Sequence, residues 1–349
     1  MKRSFATIYA VLCTLLLAAG FVAVFLFAWQ GGIPDIVQCL IGLFLSCVLS
    51  PIVHELGHVV CASAVKMDCV YIKAFCFKIY LKNGKKRFGL ASPFAPDQTQ
   101  VLPKSGGNME KRALIYAIGG LVFSFVFMTA ILVTAILFSQ YLLWGLLPYT
   151  AYLFLMNILP LEYPNGKTDI GVYVGIQKGC DTEKNMLSAM EIQGQLAEGK
   201  SFSEIDEKLY TDVPLLCEDE PMFAIMLDLR YRYYLDKQDM DNAAACLNRL
   251  VGIMDYLPIS ECEKIAAELV YMNALRGEMP QAEENAKACQ VFLKGNTVTA
   301  KRVLAAWSAA SGHLEHAKAL KEQGEACLPF ERVAGVVKFE KSLLARIEL

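Results

Sequence analysis

Two histidines and a glutamate lie in the middle of a long apolar stretch, in the segment SPIVHELGHVVCAS at residues 50–63. His54 and His58 are four residues apart, so on an α-helix they project from one face about 40° apart, with Glu55 about 100° round from His54. Two neutral imidazoles at this spacing can bind one Zn²⁺, and the intervening glutamate can accept a proton from a water molecule at the metal. The pattern predicts a hydrolytic zinc site with Glu55 as its base.

The surrounding residues favour this metal site over a solvated helix face. HExxH patterns arise by chance in soluble helices, where the polar residues simply meet water. Here two of the four histidines of the chain lie in a stretch whose other ionisable side chains are at its ends. Inside a membrane an unpaired glutamate costs about 2.5–3.5 kcal/mol or more. We therefore expect His54, Glu55 and His58 to act together.

A third ligand must come from elsewhere, because a catalytic zinc normally has three protein ligands and one open position. The segment NILPLEYPNGKTDIG at residues 157–171 has two prolines and a glycine that end a helix, with Asp169 beyond them. Asp169 is the preferred ligand. Glu162, in the same segment, is the alternative third ligand. It can also be interpreted as an acid at a helix end, at the level of the lipid headgroups.

These residues resemble the site-2 protease family of intramembrane zinc metalloproteases. The family usually has His-Glu-x-x-His in one core helix, and Asn-x-x-Pro followed by Asp-Gly in another; this chain reads Asp-Ile at residues 169–170. The resemblance covers the first half of the chain. It implies that His54 and His58 bind zinc, that Glu55 is the general base and that Asp169 is the third ligand.

Two further segments extend the resemblance. Asn157 and Pro160 occupy the Asn-x-x-Pro positions, which implies that Asn157 hydrogen-bonds the substrate or the oxyanion. The segment AIGGLVFSF at residues 117–125 is similar to the small-residue segment between the two family motifs, which lets helices approach closely.

The composition places the chain in the membrane class. Its 349 residues are 55% hydrophobic, with a mean hydropathy of +0.38, above the usual range for soluble domains. A spanning helix needs about 20 mainly apolar residues, and four stretches reach that length. They are residues 4–29, 36–65, 113–139 and 141–161. We interpret the first as a retained anchor, because its apolar core is longer than that of a signal peptide.

Lysines and arginines in the loops predict the orientation. The link between the second and third spans is basic, whereas the links QGGIP and QYLLWG contain no lysine or arginine. Basic loops stay on the cytoplasmic side, so we expect both termini in the cytoplasm and His54 near the cytoplasmic face. The expected location is the cell membrane, as a multi-pass protein of a bacterial plasma membrane.

The basic link contains a predicted β-hairpin over residues 70–91. Apolar and polar residues alternate on either side of Asn83-Gly84, the strongest short hairpin signal. Two roles are open for this cytoplasmic hairpin. It can rest on anionic lipid headgroups, or its strand edge can receive an extended peptide.

The C-terminal half has a soluble, helical composition. Residues 178–220 are expected to be a helical linker, with Ser201 or Ser203 capping a short helix. In residues 221–349 a turn-and-alanine pattern recurs in KQDMDNAAACLNRL, RGEMPQAEENAKAC and SGHLEHAKALKEQG. The matching residues Ala243, Ala282 and Ala317 are 39 and 35 positions apart. The pattern resembles tetratricopeptide repeats, which offer a groove to a protein partner; the alternative is a plain helical bundle.

The predicted architecture is mainly α: a four-span membrane helix bundle in residues 1–177 with a cytoplasmic hairpin, followed by the linker and the repeat domain. The expected function is zinc-dependent hydrolysis of peptide bonds in or near the transmembrane segments of membrane-protein substrates. The alternative is a noncatalytic membrane scaffold that recruits a cytoplasmic protein through the repeats. The net charge of −2 and the absence of a basic stripe argue against nucleic acid as a partner.

Overall fold

The computed structural model describes residues 2–82, 85–104, 106–163 and 166–348. The chain divides into two compact units. The N-terminal unit comprises Met1–Leu102 and Gly107–Glu183, and the C-terminal unit comprises Pro103–Gly106 and Lys184–Leu349. Both units are built mainly from α-helices, with a small β-sheet in the first.

Four long helices form the N-terminal unit, and each is long and apolar enough to cross a membrane. Their first turns follow ordinary helix chemistry: Pro34 sits in the first turn of the second helix, where a missing N–H costs nothing. The side chain of Asn108 caps the third helix by accepting a hydrogen bond from the backbone N–H of Lys111. The helices are α1 (Lys2–Trp29), α2 (Ile33–Ala64), α3 (Met109–Phe138) and α4 (Tyr141–Ile158).

Three of the predicted span boundaries are shifted by three residues or more. Helix α2 begins at Ile33 rather than residue 36, because Pro34 is favourable in a first helical turn. Helix α3 begins at Met109 rather than residue 113, because the Asn108 cap stabilises a first turn whose polar residues hydropathy excludes. Helix α4 ends at Ile158 rather than residue 161. The cause is Pro160, which disfavours helical geometry at the preceding residue; Leu159 is extended, with φ −100° and ψ 146°.

The hairpin predicted over residues 70–91 is one part of a larger sheet. Four strands lie in the order β3-β2-β1-β4. Strands β2 and β3 pair antiparallel with Lys82 opposite Lys85; the predicted turn at Asn83-Gly84 lies outside the described residues. A second tight turn, with Phe75 at φ 54°, joins β1 to β2. The strands are β1 (Met67–Ala74), β2 (Phe77–Lys82), β3 (Lys85–Leu90) and β4 (Gln98–Pro103).

Helix α2 packs against both α3 and α4. At the α2–α3 crossing two glycines meet: a Cβ on Gly119 would lie 2.6 Å from the carbonyl oxygen of Gly57. A side chain at either position would push the backbones apart, so the glycines set a close helix approach. Gly57 belongs to the HELGH motif and Gly119 to the small-residue segment. The crossing thus brings the two segments that the sequence singled out into contact.

After α4 the chain makes a short hairpin and a further helix. Strands β5 (Glu162–Tyr163) and β6 (Gly166–Lys167) pair antiparallel and lead into α5 (Asp169–Lys178). Helix α5 packs against α3 and α4. The next helix, α6, covers Asp181–Ala197, within the segment predicted as a linker.

The C-terminal unit consists of packed helices with one continuous apolar core. The short cap predicted at Ser201 or Ser203 is made by Ser201, which forms a capping box with Glu204 around a 3₁₀ turn. The remaining helices are α7 (Lys208–Thr211), α8 (Pro221–Asp236), α9 (Met240–Val251), α10 (Ile259–Arg276), α11 (Met279–Ala288), α12 (Gln290–Leu293), α13 (Val298–Ala310), α14 (Leu314–Cys327) and α15 (Ala334–Ala345).

The three turn-and-alanine segments share one local structure. In each, a residue with positive φ ends a turn and a helix begins shortly after it. These turn residues are Gln238 (φ 63°), Gly277 (φ 73°) and Gly312 (φ 79°). The alanine five positions later is fully buried in the first turn of α9, α11 or α14. Assignment to tetratricopeptide repeats stays a prediction.

Candidate metal centre

His54, His58 and Asp169 converge from two helices that are distant in sequence. One potential ligand atom from each of the three side chains lies within 4.8 Å of the others. The Nε2 atom of His54 is 3.3 Å from Oδ2 of Asp169, and the Nε2 atom of His58 is 3.5 Å from Oδ1. The two histidines are buried and Asp169 is partly buried. This arrangement could hold a metal ion.

Helix α3 fixes the orientation of both imidazole rings. Nδ1 of His54 is 3.0 Å from the hydroxyl of Ser124, and Nδ1 of His58 donates to the backbone carbonyl of Tyr116 at 2.9 Å. A metal-binding histidine commonly uses its second ring nitrogen in this way, which fixes the tautomer and the ring orientation. Both Nε2 atoms are therefore directed toward Asp169.

Thr168 places Asp169 at the start of α5. Its hydroxyl caps the helix by accepting from the backbone N–H of Gly171 at 3.0 Å, and it donates to the carbonyl of Leu159 at 2.6 Å. The second bond ties the first turn of α5 to the end of α4. Because Thr168 is buried, water cannot easily replace these bonds, and the carboxylate of Asp169 is held beside the histidines.

The geometry of the three side chains fits a divalent ion. Donor atoms about 2.0–2.1 Å from a tetrahedral zinc would be separated by about 3.3 Å, close to the two nitrogen–oxygen distances, each of which joins a histidine to a different oxygen of Asp169. Oδ2 of Asp169 is buried and has no hydrogen-bond partner among the described residues. A Cβ on Gly120 would overlap Nε2 of His58 and come within 2.7 Å of Nε2 of His54. The glycine thus keeps open the space that the nitrogens face.

A cavity of about 450 Å³ adjoins the three side chains. Glu55 lines it and is 4% exposed. Asn157, in the last turn of α4, lines the same cavity, and its Nδ2 donates to the carbonyl of Leu153 at 3.2 Å. Lys167 is also part of the lining and forms an ion pair with the buried Glu183 at 2.6 Å. The cavity therefore combines apolar walls with a few fixed polar groups, as in small binding sites.

The predicted site residues are distributed as follows. His54, Glu55, His58, Asn157 and Asp169 all line one cavity. The rival ligand Glu162 is exposed on β5, with Lys167 as its strand partner, and does not belong to the metal-binding group. Pro160 follows the end of α4 and is exposed.

Four contributors to the site were missed by sequence reasoning: Thr99, Tyr116, Ser124 and Thr168. The role of Thr168 could have been predicted from the sequence, because a threonine directly before an acidic residue is typical of a helix N-cap. The other three act across helix and strand contacts, which no local pattern specifies.

No protein-family model, curated protein or solved structure matches the chain. The resemblance to site-2 proteases is therefore carried by individual residues.

Proposed function

We propose that this protein is an intramembrane zinc metalloprotease that hydrolyses peptide bonds in or near the transmembrane segments of other membrane proteins. The observation that carries the proposal is the convergence of His54 and His58 with Asp169 next to a cavity that also contains Glu55. Two imidazoles and one carboxylate match a catalytic zinc site, in which three protein ligands leave one position open.

The proposed reaction gives a role to the metal ion and to two polar side chains of the cavity, Glu55 and Asn157. A zinc ion supplies Lewis acidity, which lowers the pKa of a water molecule toward about 7 and polarises a peptide carbonyl. Glu55 accepts the proton of the attacking water and later donates it to the leaving amine. Asn157 stabilises the developing oxyanion after its amide leaves the carbonyl of Leu153.

The size of the cavity bears on how a substrate enters. A spanning helix about 10 Å wide and 30 Å long occupies roughly 2,400 Å³, more than the cavity beside the metal-binding residues can enclose. Only a short stretch of substrate can therefore enter. A helical peptide bond is also shielded by its own hydrogen bond, so we expect the substrate helix to unwind locally before cleavage.

The proposed location is the plasma membrane of a bacterium, with both termini in the cytoplasm. Large apolar side chains face outward on the long helices, including Ile8 (66% exposed), Phe44 (66%) and Val126 (60%). A lipid bilayer is the solvent that would cover such a surface. The basic residues of the sheet segment and the uncharged links QGGIP and QYLLWG support this orientation.

A noncatalytic scaffold is the second candidate, and one feature of the C-terminal unit favours it. A groove of about 680 Å³ lies among α8, α9 and α10. Its walls include Leu229, Leu250 and Ile265, and its rim includes Asp228 and Glu261. In a scaffold, this groove would receive a cytoplasmic protein.

The deciding experiment compares cells that express the wild-type chain with cells that express Glu55→Gln. Protein termini in the membrane fraction are identified by mass spectrometry. We expect new termini in or beside transmembrane segments with the wild type and none with Glu55→Gln, although that variant retains zinc. Glu162→Gln is the matched control and should cleave normally, because Glu162 is exposed. Identical termini with Glu55→Gln and wild type would contradict the protease and favour the scaffold.

A further inference from the structure

The proposed base has a single side-chain partner among the described residues. The hydroxyl of Thr99, on β4, donates a hydrogen bond to Oε2 of Glu55 at 2.6 Å. This length lies in the range of about 2.5–2.7 Å for a hydroxyl bonded to an ionised carboxylate. Oε1 receives no hydrogen bond from the described residues. One oxygen of Glu55 is thus fixed and the other is available.

Thr99 is in turn connected to a histidine of the metal centre. The hydroxyl of Tyr116, on α3, donates to the backbone carbonyl of Thr99 at 2.7 Å. The backbone carbonyl of the same tyrosine accepts from Nδ1 of His58 at 2.9 Å. A continuous series of contacts therefore runs from His58 through Tyr116 and Thr99 to Glu55, and it relates the direction of the base to that of a ligand.

A buried lysine anchors the segment that leads into β4. Lys73, on β1, is 1% exposed, and its Nζ donates to Oδ1 of Asp97 at 2.8 Å and to the carbonyl of Ala95. Oδ1 of Asp97 also accepts from the backbone N–H of Phe75 at 2.8 Å. An ammonium group is buried only when it is paired, so these bonds determine where β4 begins and hence where Thr99 lies.

We propose that Thr99, held by Tyr116, is a positioning residue that orients Glu55 for proton transfer. This inference rests on the proposed protease function. The terminal torsion of a glutamate side chain is broad, so burial alone does not select the direction of its carboxylate. A fixed hydrogen bond on Oε2 selects one orientation and leaves Oε1 to accept a proton from water. Catalytic groups need such definition to within about 0.5 Å.

The contact is tested by three variants of the full-length chain purified in detergent. Thr99→Val removes the hydroxyl at nearly constant shape, Thr99→Ser restores it, and Tyr116→Phe removes the bond that holds Thr99. The substrate is a single-span membrane protein in which the wild-type chain produces new termini. We expect kcat to fall by about tenfold to a hundredfold in Thr99→Val, because losses of this size follow the removal of groups that orient a metal site. The fall in kcat should be smaller in Tyr116→Phe. KM and bound zinc should stay at wild-type values, and Thr99→Ser should restore kcat.

A second measurement needs neither substrate nor metal. The thermal unfolding midpoint is recorded in EDTA for the wild type, Thr99→Val, Glu55→Leu and the double variant. If the hydroxyl acts on the carboxylate, Thr99→Val lowers the midpoint when Glu55 is present and has little effect in the Glu55→Leu background.

The outcomes separate this inference from the function on which it rests. Three outcomes would overturn the positioning role and leave the proposed protease function intact. They are a wild-type kcat in Thr99→Val, a kcat in Thr99→Ser as low as in Thr99→Val, and a loss of bound zinc in proportion to the loss of activity. A wild-type chain that cleaves nothing would overturn the protease, and the positioning role with it, even where the unfolding cycle shows the contact.

Discussion

Glu268 and Glu340 in the C-terminal unit and Asp169 in the N-terminal unit are all carboxylates withdrawn from water, but their surroundings differ. Each of the four carboxylate oxygens of the two glutamates receives a hydrogen bond, whereas Oδ2 of Asp169 is buried with none from the described residues. The donors to the glutamates are Nη2 of Arg302 (2.6 Å), Nε of Arg302 (2.7 Å), the hydroxyl of Tyr231 (2.8 Å) and the hydroxyl of Thr299 (2.8 Å).

The difference lies in what faces the carboxylate oxygens, because an oxygen without a donor does not by itself mark a site: Oε2 of Glu183 is also buried with no partner among the described residues. Around Arg302, all four carboxylate oxygens have donors, although Nη1 of Arg302 itself is buried without a partner among the described residues. The guanidinium also stacks on Tyr271 with 4.2 Å to the ring centroid. Asp169 instead faces two imidazole nitrogens at 3.3 and 3.5 Å, beside a cavity that all three side chains line. A buried oxygen without a donor is costly, and a metal ion would compensate that cost.

The largest effect is expected from Arg302→Met. The substitution leaves Glu268 and Glu340 buried without their shared cation, and breaking a buried pair in this way costs about 3–5 kcal/mol. The free energy of unfolding of the C-terminal unit, measured by denaturant titration of the full chain, reports the loss. Arg249→Met is the matched control: Arg249 pairs with Glu218 at the surface, so the change should cost less than about 1 kcal/mol. Equal losses of unfolding free energy in the two variants would show that the buried ion pairs of Arg302 stabilise the fold no more than a surface ion pair does.

Gly120→Ala should weaken metal binding and leave the Arg302 cluster unchanged. This cluster consists of Arg302 with Glu268 and Glu340. The added methyl group would overlap Nε2 of His58, so the imidazoles can no longer face Asp169 together. We expect zinc affinity to fall by about tenfold to a hundredfold, the loss that follows when groups that orient metal ligands are removed. Isothermal titration with zinc measures the effect, and denaturant titration of the C-terminal unit should give the wild-type value. Unchanged zinc affinity would mean that Gly120 does not shape the site.

Acid should weaken the Arg302 cluster. Burial raises the pKa of Glu268, but the charges of Arg302 and Arg232 and the hydrogen bonds to its carboxylate lower that pKa below its ordinary value. A depressed pKa stabilises the fold above the ordinary glutamate pKa of about 4.3, and this contribution is lost as the pH falls further. The unfolding midpoint should therefore drop below pH 4 more steeply in the wild type than in Glu268→Gln. Parallel curves would show that Glu268 is not the responsible group.

The smallest effect concerns the turns of the C-terminal unit. Gln238 has φ 63°, where the two equivalent turns have glycine. A left-handed conformation costs a non-glycine residue about 1–2 kcal/mol, which the lower entropy of the unfolded chain partly offsets. Gln238→Gly should therefore stabilise the unit by about 0.5–1 kcal/mol in denaturant titration. Gly277→Gln is the reciprocal variant and should destabilise it; a stabilising effect there would show that the turns are not equivalent.

The sequence predicted the helices and the grouping of His54, His58 and Asp169 better than the contacts that orient these side chains. His54 and His58 share a helix face by spacing alone, and the apolar spans follow from length and composition. Asp169 was predicted from its place beyond the end of the fourth span, and the resemblance implied the same residue, although it lies 111 positions after His58. Ser124, Tyr116 and Thr99 were not predictable, since their roles depend on how α3 crosses α2 and where β4 lies. Strand β4 was itself missed, because a six-residue strand carries a weak periodic signal.

The central claim is that His54, His58 and Asp169 together hold one divalent ion, and metal content tests it most directly. The full-length wild type, Asp169→Ala and Glu162→Gln are purified in detergent, loaded with zinc, desalted and analysed by mass spectrometry for metal per chain. We predict about one zinc per chain in the wild type and in Glu162→Gln, and little in Asp169→Ala, because two imidazoles alone bind weakly. Wild-type zinc content in Asp169→Ala would contradict the account.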